Sequence, residues 1–412
     1  MDRTQMSRAG RAVLRSESGE VRTGRAGGVK KGRGTRWHSL ITATAAVMVA
    51  GAALAACSSQ APAASSTGSA CWTKATSASS CGGMAALVKA AKAEGRLNVI
   101  ALPPAWANYG SIISAFESKY GIKVNSANPN GSSGEELAAI KAQQGSAQGP
   151  DVVDVGPSFA LQGASEGLFA PYKVATWSSI PADQKAPDGS WFDDYGGYIA
   201  VGYNASIFKR APTSLSSLLS PEFRGSVCLD GNPESSQAAF SAVYAAALAN
   251  GGSFKNIEPG IQYFKKLASV GNFVPTGATP ASIGSGQCRV SLDWSYLQVK
   301  YAQGLAPKGI KWKVFVPPNA EYASYYVQAI SKFAPDPAAA RLWEEFLYSP
   351  AGQNLWLAGY ASPVELPAMI ANGTVNRSLL SALPKVTGVP SFPTPAELSK
   401  AQQAVVSQWS SI

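Results

Sequence analysis

The amino-acid sequence predicts an α/β fold, and two observations carry that prediction. Between Arg96 and Val155, short apolar segments of strand length alternate with segments of helical periodicity. The region from about Cys71 to Ile412 is too long for a single ordinary domain, which indicates two lobes. A β-α-β-α-β order predicts a mainly parallel sheet covered by helices.

The first element of the chain is a predicted signal peptide over residues 1–56. A basic segment precedes an apolar run from Leu40 to Ala56, and small residues stand just before Cys57. This pattern resembles the lipobox at which a lipoprotein signal peptidase cleaves, so we expect Cys57 to carry lipid on the outer face of the cell membrane. An uncleaved membrane span is the alternative, because about 17 apolar residues reach the low edge of a spanning length.

Removal of the leader changes the chemistry of the chain. Residues 1–56 hold ten Lys/Arg and three Asp/Glu, a net charge of +7 out of +10, so the remainder carries only about +3. Most of the positive charge therefore lies in the predicted signal peptide and does not indicate a nucleic-acid partner. The only histidine, His38, also leaves. We expect no enzyme, no cofactor and no metal site, since Ser–His, Cys–His and HExxH arrangements all need histidine.

The cysteines predict two disulfides in an exported protein. If Cys57 is lipidated, an even set remains, and the simplest of its three pairings joins Cys71 to Cys81 and Cys228 to Cys288. Buried free thiols are the alternative. Residues 57–82 are assigned to the lipidated cysteine and a flexible tether, because they begin with a small, polar stretch.

The folded region contains further segments in order. Predicted strands are Arg96–Leu102, Ile122–Asn125, Asp151–Val155, Tyr198–Tyr203, Ser226–Leu229, Arg289–Leu292 and Trp312–Val316. A helix is predicted over Ser111–Tyr120, and Ser133 with Glu136 has the S-x-x-E form of a capping box. Two later helices are predicted to begin at Asp336-Pro337 and Ser349-Pro350, where a capping side chain precedes proline.

Several motifs, taken in order, resemble the extracellular solute-binding proteins of bacterial ABC importers. The resemblance is to the group that binds spermidine/putrescine, ferric ion, thiamine and phosphonates, and it covers about Leu97 to Leu366. The motifs are Phe116 with Tyr120-Gly121-Ile122-Lys123-Val124, Pro150-Asp151-Val152-Val153, Gly202-Tyr203-Asn204, Leu218-Leu219 with Pro221, Phe223 and Gly225, and Phe346-Leu347 ahead of Ser349-Pro350 and Gly359-Tyr360.

The resemblance implies the type II fold of periplasmic binding proteins, in which two α/β lobes are joined by two hinge strands around a ligand cleft. The first lobe is then expected to comprise residues 83–202 and 317–412, and the second residues 203–316. Ligand capture would proceed by hinge closure, without catalysis. The implied partners are a small solute, a membrane permease and its ATPase, and we expect a monomer.

The resemblance also implies candidate ligand-binding residues, and the first group favours an amine. Trp106 and Tyr109 resemble the W-x-x-Y of polyamine binders, where aromatic faces pack on ammonium groups. Asp293, at a strand end beside Trp294 and Tyr296, is a candidate counter-ion. Structural roles are open alternatives: Trp106 and Tyr109 as loop packing, Asp293 as a helix cap.

A second group of candidates surrounds the expected cleft. Ser133 at a helix start favours an anion, although ordinary capping is the stronger interpretation. In the second lobe, Glu234 suits a cation, whereas Ser235 suits an anion or a hydroxyl. The remaining candidates are Ser158, Phe159 (a ligand wall or an interlobe contact), Tyr326 and Gln328.

The interpretation at this point is an importer component for a small, amine-bearing, polyamine-like solute. A binder of a phosphonate or phosphate ester is the alternative, followed by a cell-surface hydrolase or a sensor lipoprotein. Ferric iron is disfavoured, because Trp294-Ser295-Tyr296 replaces the Tyr-Tyr pair that ferric binders tend to carry here.

Overall fold

The computed structural model describes residues 67–383 and 392–412. The predicted signal peptide, the predicted lipidation site Cys57 and the first part of the predicted tether lie outside these residues. The rest of the predicted tether is folded rather than flexible: it contains a helix over Thr67–Lys74 and the buried side chain of Trp72. Within the described part of the chain, no helix combines the length and apolar character needed to cross a bilayer.

Helices and strands alternate along most of the described chain. The helices are α1 Thr67–Lys74, α2 Gly83–Glu94, α3 Tyr109–Tyr120, α4 Ser133–Ala142, α5 Pro157–Ser165, α6 Gln237–Ala249, α7 Glu258–Ser269, α8 Pro280–Gly284, α9 Ser295–Leu305, α10 Pro337–Leu347, α11 Pro350–Ala358, α12 Leu366–Asn372, α13 Arg377–Leu380 and α14 Pro395–Gln408. The strands are β1 Arg96–Ile100, β2 Lys123–Ala127, β3 Val152–Val155, β4 Phe169–Ala170, β5 Phe192–Asn204, β6 Val227–Leu229, β7 Val290–Trp294, β8 Trp312–Phe315, β9 Ala323–Ser331 and β10 Ser362–Pro363.

One long strand, β5, belongs to both parts of the main sheet. Its residues 192–198 pair with β9, which also pairs with β3 and β4. Its residues 199–204 pair with β7 and β8, and β6 lies beside β7. We call the strands around β9 the first half and those around β7 the second half. The parallel pair β1–β2 adjoins the first half, since the Asp151 N–H donates to the Asn98 carbonyl at 2.9 Å.

The interior is apolar on both sides of the sheet. All residues of β3 and of β7 are buried, as expected for strands that helices cover on both faces. Helix α6 is also buried along most of its length, because its small alanine side chains let it pack closely against neighbouring elements. These elements fix the strand ends from which the site is built.

The structure confirms the order of the predicted elements, but the prediction of a mainly parallel sheet is wrong. Among the strand pairs of the described chain, β1–β2 and β6–β7 are parallel, whereas β5 runs antiparallel to β9, β7 and β8, and β3 runs antiparallel to β9.

The edges of several elements also differ from the predicted ones. Strand β5 begins six residues before the predicted Tyr198. The N-cap of α4 is Ser132 rather than Ser133: the Ser132 N–H donates to Glu135 Oε2 at 2.7 Å in a capping box. The S-x-x-E motif therefore lies one residue earlier, which leaves the Glu136 side chain free to turn inward. Helices α10 and α11 begin at the expected prolines.

The two predicted disulfides have different outcomes. The bond between Cys71 and Cys81 is confirmed. The prediction for Cys228 and Cys288 is wrong, because both are buried free thiols. Each sulfur is held instead by a main-chain carbonyl, Cys228 by Ser226 at 3.8 Å and Cys288 by Val290 at 3.4 Å. A hydrogen bond with Cys228, together with burial, raises the pKa of Cys288.

Candidate functional site

A cavity of about 380 Å³ lies between the two halves of the sheet. The first half contributes the loop after β1, the turn before α4 and the end of β3. The second half contributes the turn after β6, the loop into α8 and part of α9, while Tyr326 reaches the cavity from β9. Loops at strand ends and the starts of helices therefore meet there, which is where α/β folds hold their ligands.

Three carboxylates line this cavity: Glu136 and Asp154 from the first half, and Asp230 from the second. None of the described residues that line it is lysine, arginine or histidine. Acidic groups buried without a basic partner are costly unless a cation or a proton neutralises them. The cavity therefore has the electrostatic character of a cation site.

Asp154 is the most firmly held of the three. Its Oδ2 accepts hydrogen bonds from the Tyr109 hydroxyl at 2.7 Å and from the Tyr195 hydroxyl at 2.8 Å. Its Oδ1 is buried and has no hydrogen-bond partner within the described residues. Burial raises the pKa of Asp154 to about 7, although the two hydroxyls act in the opposite direction. One oxygen is thus fixed, and the other is a buried acceptor without a partner among the described residues.

Glu136 and Asp230 are held differently. Glu136 Oε2 accepts the Asp154 N–H at 2.9 Å. Burial, and next the charge of Asp154, raise the pKa of Glu136 well above its usual range. Burial alone raises the pKa of Asp230 to about 7. The first half therefore contributes an adjacent carboxylate pair, and the second half contributes a separate carboxylate.

Aromatic side chains form another part of the cavity wall. Trp106 and Tyr326 both line it, in an edge-to-face arrangement with ring centroids 5.6 Å apart. The Trp106 Nε1–H donates to the Tyr195 hydroxyl at 2.7 Å, which links Trp106 to Asp154 through Tyr195. Tyr301 lines the second half, and its hydroxyl donates to Asp293 Oδ2 at 3.1 Å. The wall thus offers π faces next to carboxylates.

Three of the predicted ligand-binding residues line the cavity: Trp106, Ser133 and Tyr326. The Ser133 hydroxyl oxygen accepts the Gly156 N–H at 3.1 Å, so it already serves the backbone of the first half. Trp106 was predicted to present its aromatic ring to the solute, and its position in the cavity wall supports that role.

A second set of predicted residues lies behind the cavity wall. Asp293 accepts the Trp294 N–H at 2.7 Å and the Tyr301 hydroxyl, and burial raises its pKa well above the usual range.

Tyr109 is also behind the wall, fully buried against Asp154. Trp294 and Tyr296 stack on one another in the core. Gln328 donates to Tyr109 at 3.0 Å and to Asp194 at 2.9 Å. The structure does not bring these side chains to the cavity surface.

The remaining predicted residues lie beside the cavity, where the two halves touch. The Ser158 hydroxyl donates to Gln237 Oε1 at 3.1 Å, and the Ser235 carbonyl accepts the Gly134 N–H at 3.3 Å. Phe159 is buried next to this contact. Glu234 accepts from the Asn232 side chain at 2.8 Å and is not part of the cavity wall.

Sequence reasoning missed the three cavity carboxylates and Tyr301 as ligand candidates. Asp154 is the penultimate residue of strand β3 and Asp230 follows β6, so a consistent search of acidic residues near strand ends would have selected both. Glu136 was assigned to a helix cap, and no local signal distinguishes a capping glutamate from one that turns inward. Among the described residues, no group of three or more His, Cys, Asp or Glu side chains is arranged to hold a metal ion.

Comparisons with known proteins agree with this architecture. The family described as bacterial extracellular solute-binding protein matches residues 147–385. No curated protein matches the chain. Among solved structures, the periplasmic binding protein AfuA from Actinobacillus pleuropneumoniae, with fructose-6-phosphate bound, is similar at a TM-score of 0.62 and 18% identity, covering 77% of this chain and 98% of that one.

Two further solved structures share the fold with the chain. The ferric binding protein from Campylobacter jejuni has a TM-score of 0.58 and 18% identity, covering 76% of this chain and 98% of that one. A putative spermidine/putrescine ABC transporter from Listeria monocytogenes has a TM-score of 0.56 and 14% identity, covering 77% and 100%. At these identities the likeness concerns the fold.

The chain belongs to the family of bacterial extracellular solute-binding proteins. Its fold is the type II fold of periplasmic binding proteins, as the resemblance of its motifs predicted. It is therefore an extracellular solute-binding protein, as the description of the matching family states.

Proposed function

We propose that this protein captures a small organic cation, most simply a molecule with two amino groups, for uptake by an ABC importer. One observation carries the proposal: Glu136, Asp154 and Asp230 line the cavity, whereas no lysine, arginine or histidine does so among its described lining residues. An ammonium group near Asp154 Oδ1 would satisfy the buried acceptor that lacks a protein partner.

The distribution of the carboxylates favours two separated charges in the solute. Glu136 and Asp154 belong to the first half, and Asp230 belongs to the second. A diamine would place one ammonium group at each end and its methylene chain along Trp106 and Tyr326. Cation–π contacts of this kind contribute roughly 0.5–2 kcal/mol each. The printed name of the Listeria monocytogenes structure, a putative spermidine/putrescine transporter, is consistent with this ligand class.

Anionic solutes fit the cavity less well. A phosphate ester would meet three carboxylates and no basic side chain, so repulsion would oppose its binding. Of the two serines expected to bind anions, Ser235 does not line the cavity, and its hydroxyl already donates to the Asn232 carbonyl at 3.4 Å. The sugar phosphate bound by the similar protein from Actinobacillus pleuropneumoniae is therefore a ligand that we do not expect here.

The wider setting is also part of the proposal. The two halves of the sheet would act as the two lobes, at residues 83–202 with 317–412 and at residues 203–316, and would close around the solute. The protein would act as a monomer without catalysis. Lipid on Cys57 would hold it at the membrane beside its permease. A phosphonate binder, a hydrolase and a sensor lipoprotein are the alternatives that experiments must separate.

Calorimetric titration tests the ligand class. The full chain, with Cys57→Ser to prevent lipidation, is titrated separately with putrescine, spermidine, fructose 6-phosphate, aminoethylphosphonate and ferric citrate. We expect binding of an amine and no measurable binding of the phosphate ester. Tight binding of an anion or of ferric ion, without binding of either amine, would contradict the proposal.

A further inference from the structure

The two halves of the molecule touch directly beside the cavity. The Gly134 N–H donates to the Ser235 carbonyl at 3.3 Å, and the Ser158 hydroxyl donates to Gln237 Oε1 at 3.1 Å. Gln237 is the first residue of α6, and its Nε2 also donates to Ser241 at 3.0 Å. Its side chain is therefore fixed from both halves.

Gly156 lies under this contact at the end of β3. A Cβ atom at position 156 would overlap the Cβ, Cγ and Oε1 atoms of Gln237. The Cβ of Gln237 is fixed by the backbone of α6, so a change of rotamer alone would not remove the overlap. Only a residue without a Cβ lets the two halves approach this closely.

The backbone of Gly156 does not itself require glycine. Its φ and ψ angles are −68° and 157°, an extended conformation that every L-residue adopts. It is the N-cap of α5, where glycine is preferred over alanine by only a few tenths of a kcal/mol to about 1 kcal/mol. The requirement for glycine therefore arises from the facing half of the molecule.

We propose that Gly156 and Gln237 form the closure contact of this protein, so that the absence of a side chain at position 156 decides whether the lobes can close on a solute. The inference rests on the proposed function in one respect, that capture proceeds by closure. Gly156 is then a positioning residue: it contacts no solute, and it acts by allowing Gln237 and the cavity wall of the second half to come into place.

The variant Gly156→Ala tests this assignment. We expect the affinity for putrescine to fall at least about tenfold, because overpacking of a close contact is costly. The melting temperature of the unliganded protein should change little, since the lobes are free to remain open. Gly304→Ala is the matched control: nothing lies within 4 Å of a Cβ at position 304, so binding should be unchanged. The double variant Gly156→Ala/Gln237→Gly removes the overlap and should recover part of the lost affinity.

A second readout does not depend on knowing the solute. The Cβ of a residue at position 134 would lie 3.4 Å from the Cβ of Ser235, close to the roughly 3.5–4.5 Å of a disulfide. Gly134→Cys/Ser235→Cys should therefore cross-link the halves under mild oxidation, and peptide mapping by mass spectrometry identifies the bond. Adding Gly156→Ala should slow this cross-linking at least about tenfold.

The outcomes separate the two proposals. If neither amine binds but Gly156→Ala slows cross-linking, the ligand assignment fails and the closure contact stands. If Gly156→Ala binds putrescine and cross-links at the rates of the parent protein, the closure contact is overturned, whatever the solute. A fall in the melting temperature of unliganded Gly156→Ala, without recovery of binding in the Gln237→Gly double variant, would also overturn it.

Discussion

The cavity and the contact beside it both lie between the two halves, yet their chemistry is opposite. The cavity wall presents Glu136, Asp154 and Asp230, with one buried carboxylate oxygen that no described residue satisfies. The adjoining contact is built from Gly134, Gly156, Ser158, Ser235 and Gln237, which are uncharged and already bonded or packed against one another. Of these five residues, Gln237 also lines the cavity.

This difference separates recognition from closure. Unpaired buried charge is unfavourable until an oppositely charged group arrives, so the cavity distinguishes between solutes. A neutral contact whose groups are satisfied has no such preference, so it stabilises the closed arrangement whichever solute is inside. Substitutions in the cavity should therefore change which solutes bind, whereas substitutions at the contact should change how tightly all of them bind.

The largest effect is expected from Asp154→Asn. Removing one member of a buried, hydrogen-bonded charge pair costs about 2 kcal/mol or more, which corresponds to at least about a 30-fold loss of putrescine affinity. Calorimetric titration measures this change. Asp293→Asn is the matched comparison: Asp293 lies behind Tyr301, so its loss should reduce affinity less than about threefold. Equal losses of putrescine affinity in both variants would show that Asp154 does not bind the solute directly.

The pH dependence should have opposite signs for stability and for binding. Burial raises the pKa of Asp151 to about 8 and those of Asp154 and Asp230 to about 7. In the unfolded chain these groups titrate near 4. The folded state therefore holds more protons between about pH 4 and 8, and the stability of the unliganded protein should fall as pH rises through this range.

Binding of a diamine should strengthen over the upper part of the same range. Putrescine remains doubly protonated there, because alkylamines titrate near pH 10, while Asp154 and Asp230 become ionised and attract it. Thermal unfolding from pH 5 to 8, with and without putrescine, measures both trends. A solute-induced shift that is independent of pH would show that these carboxylates do not recognise the charge.

A moderate effect is expected from Trp106→Leu. The substitution removes one aromatic face of the cavity wall and the hydrogen bond to Tyr195, but it leaves Tyr326 and the carboxylates in place. Loss of roughly 0.5–2 kcal/mol of cation–π interaction predicts a decrease in putrescine affinity of about 2- to 30-fold. Trp106→Phe keeps a π face and should lose less. If the leucine and phenylalanine variants bind equally, the aromatic wall does not act through its π face.

The smallest effect is expected from Ser158→Ala. One hydrogen bond between the halves is lost, which predicts a two- to tenfold decrease in affinity. The ratio of the affinities for putrescine and spermidine should stay constant, because Ser158 itself does not line the cavity. A change in that ratio, measured by paired titrations, would mean that the contact takes part in recognition.

The sequence allowed the fold to be predicted more fully than the site. Apolar strands such as β1, β3 and β7 are recognisable from local composition, and the prolines at 337 and 350 mark helix starts through backbone chemistry alone. Trp106 was identifiable because it lies in a loop between a strand and a helix, where an aromatic side chain is seldom needed for core packing.

The carboxylates of the site could not be ranked in this way. Asp293, Asp154 and Asp230 all occur at strand ends, and tertiary packing alone places Tyr301 in front of Asp293 and leaves Asp154 facing the cavity. The roles of Gly156 and of the cysteines at 228 and 288 likewise depend on distances between segments far apart in sequence. Residue type and spacing along the sequence do not determine those distances.

The most direct test of the account is a calorimetric comparison of putrescine and fructose 6-phosphate binding to the full chain carrying Cys57→Ser, at pH 7.5 and again with Asp154→Asn added. The account predicts that putrescine binds, that the Asp154 variant binds it at least about 30-fold more weakly, and that the sugar phosphate does not bind either protein. Binding of the sugar phosphate, or putrescine binding that is unaffected by the loss of Asp154, would contradict it.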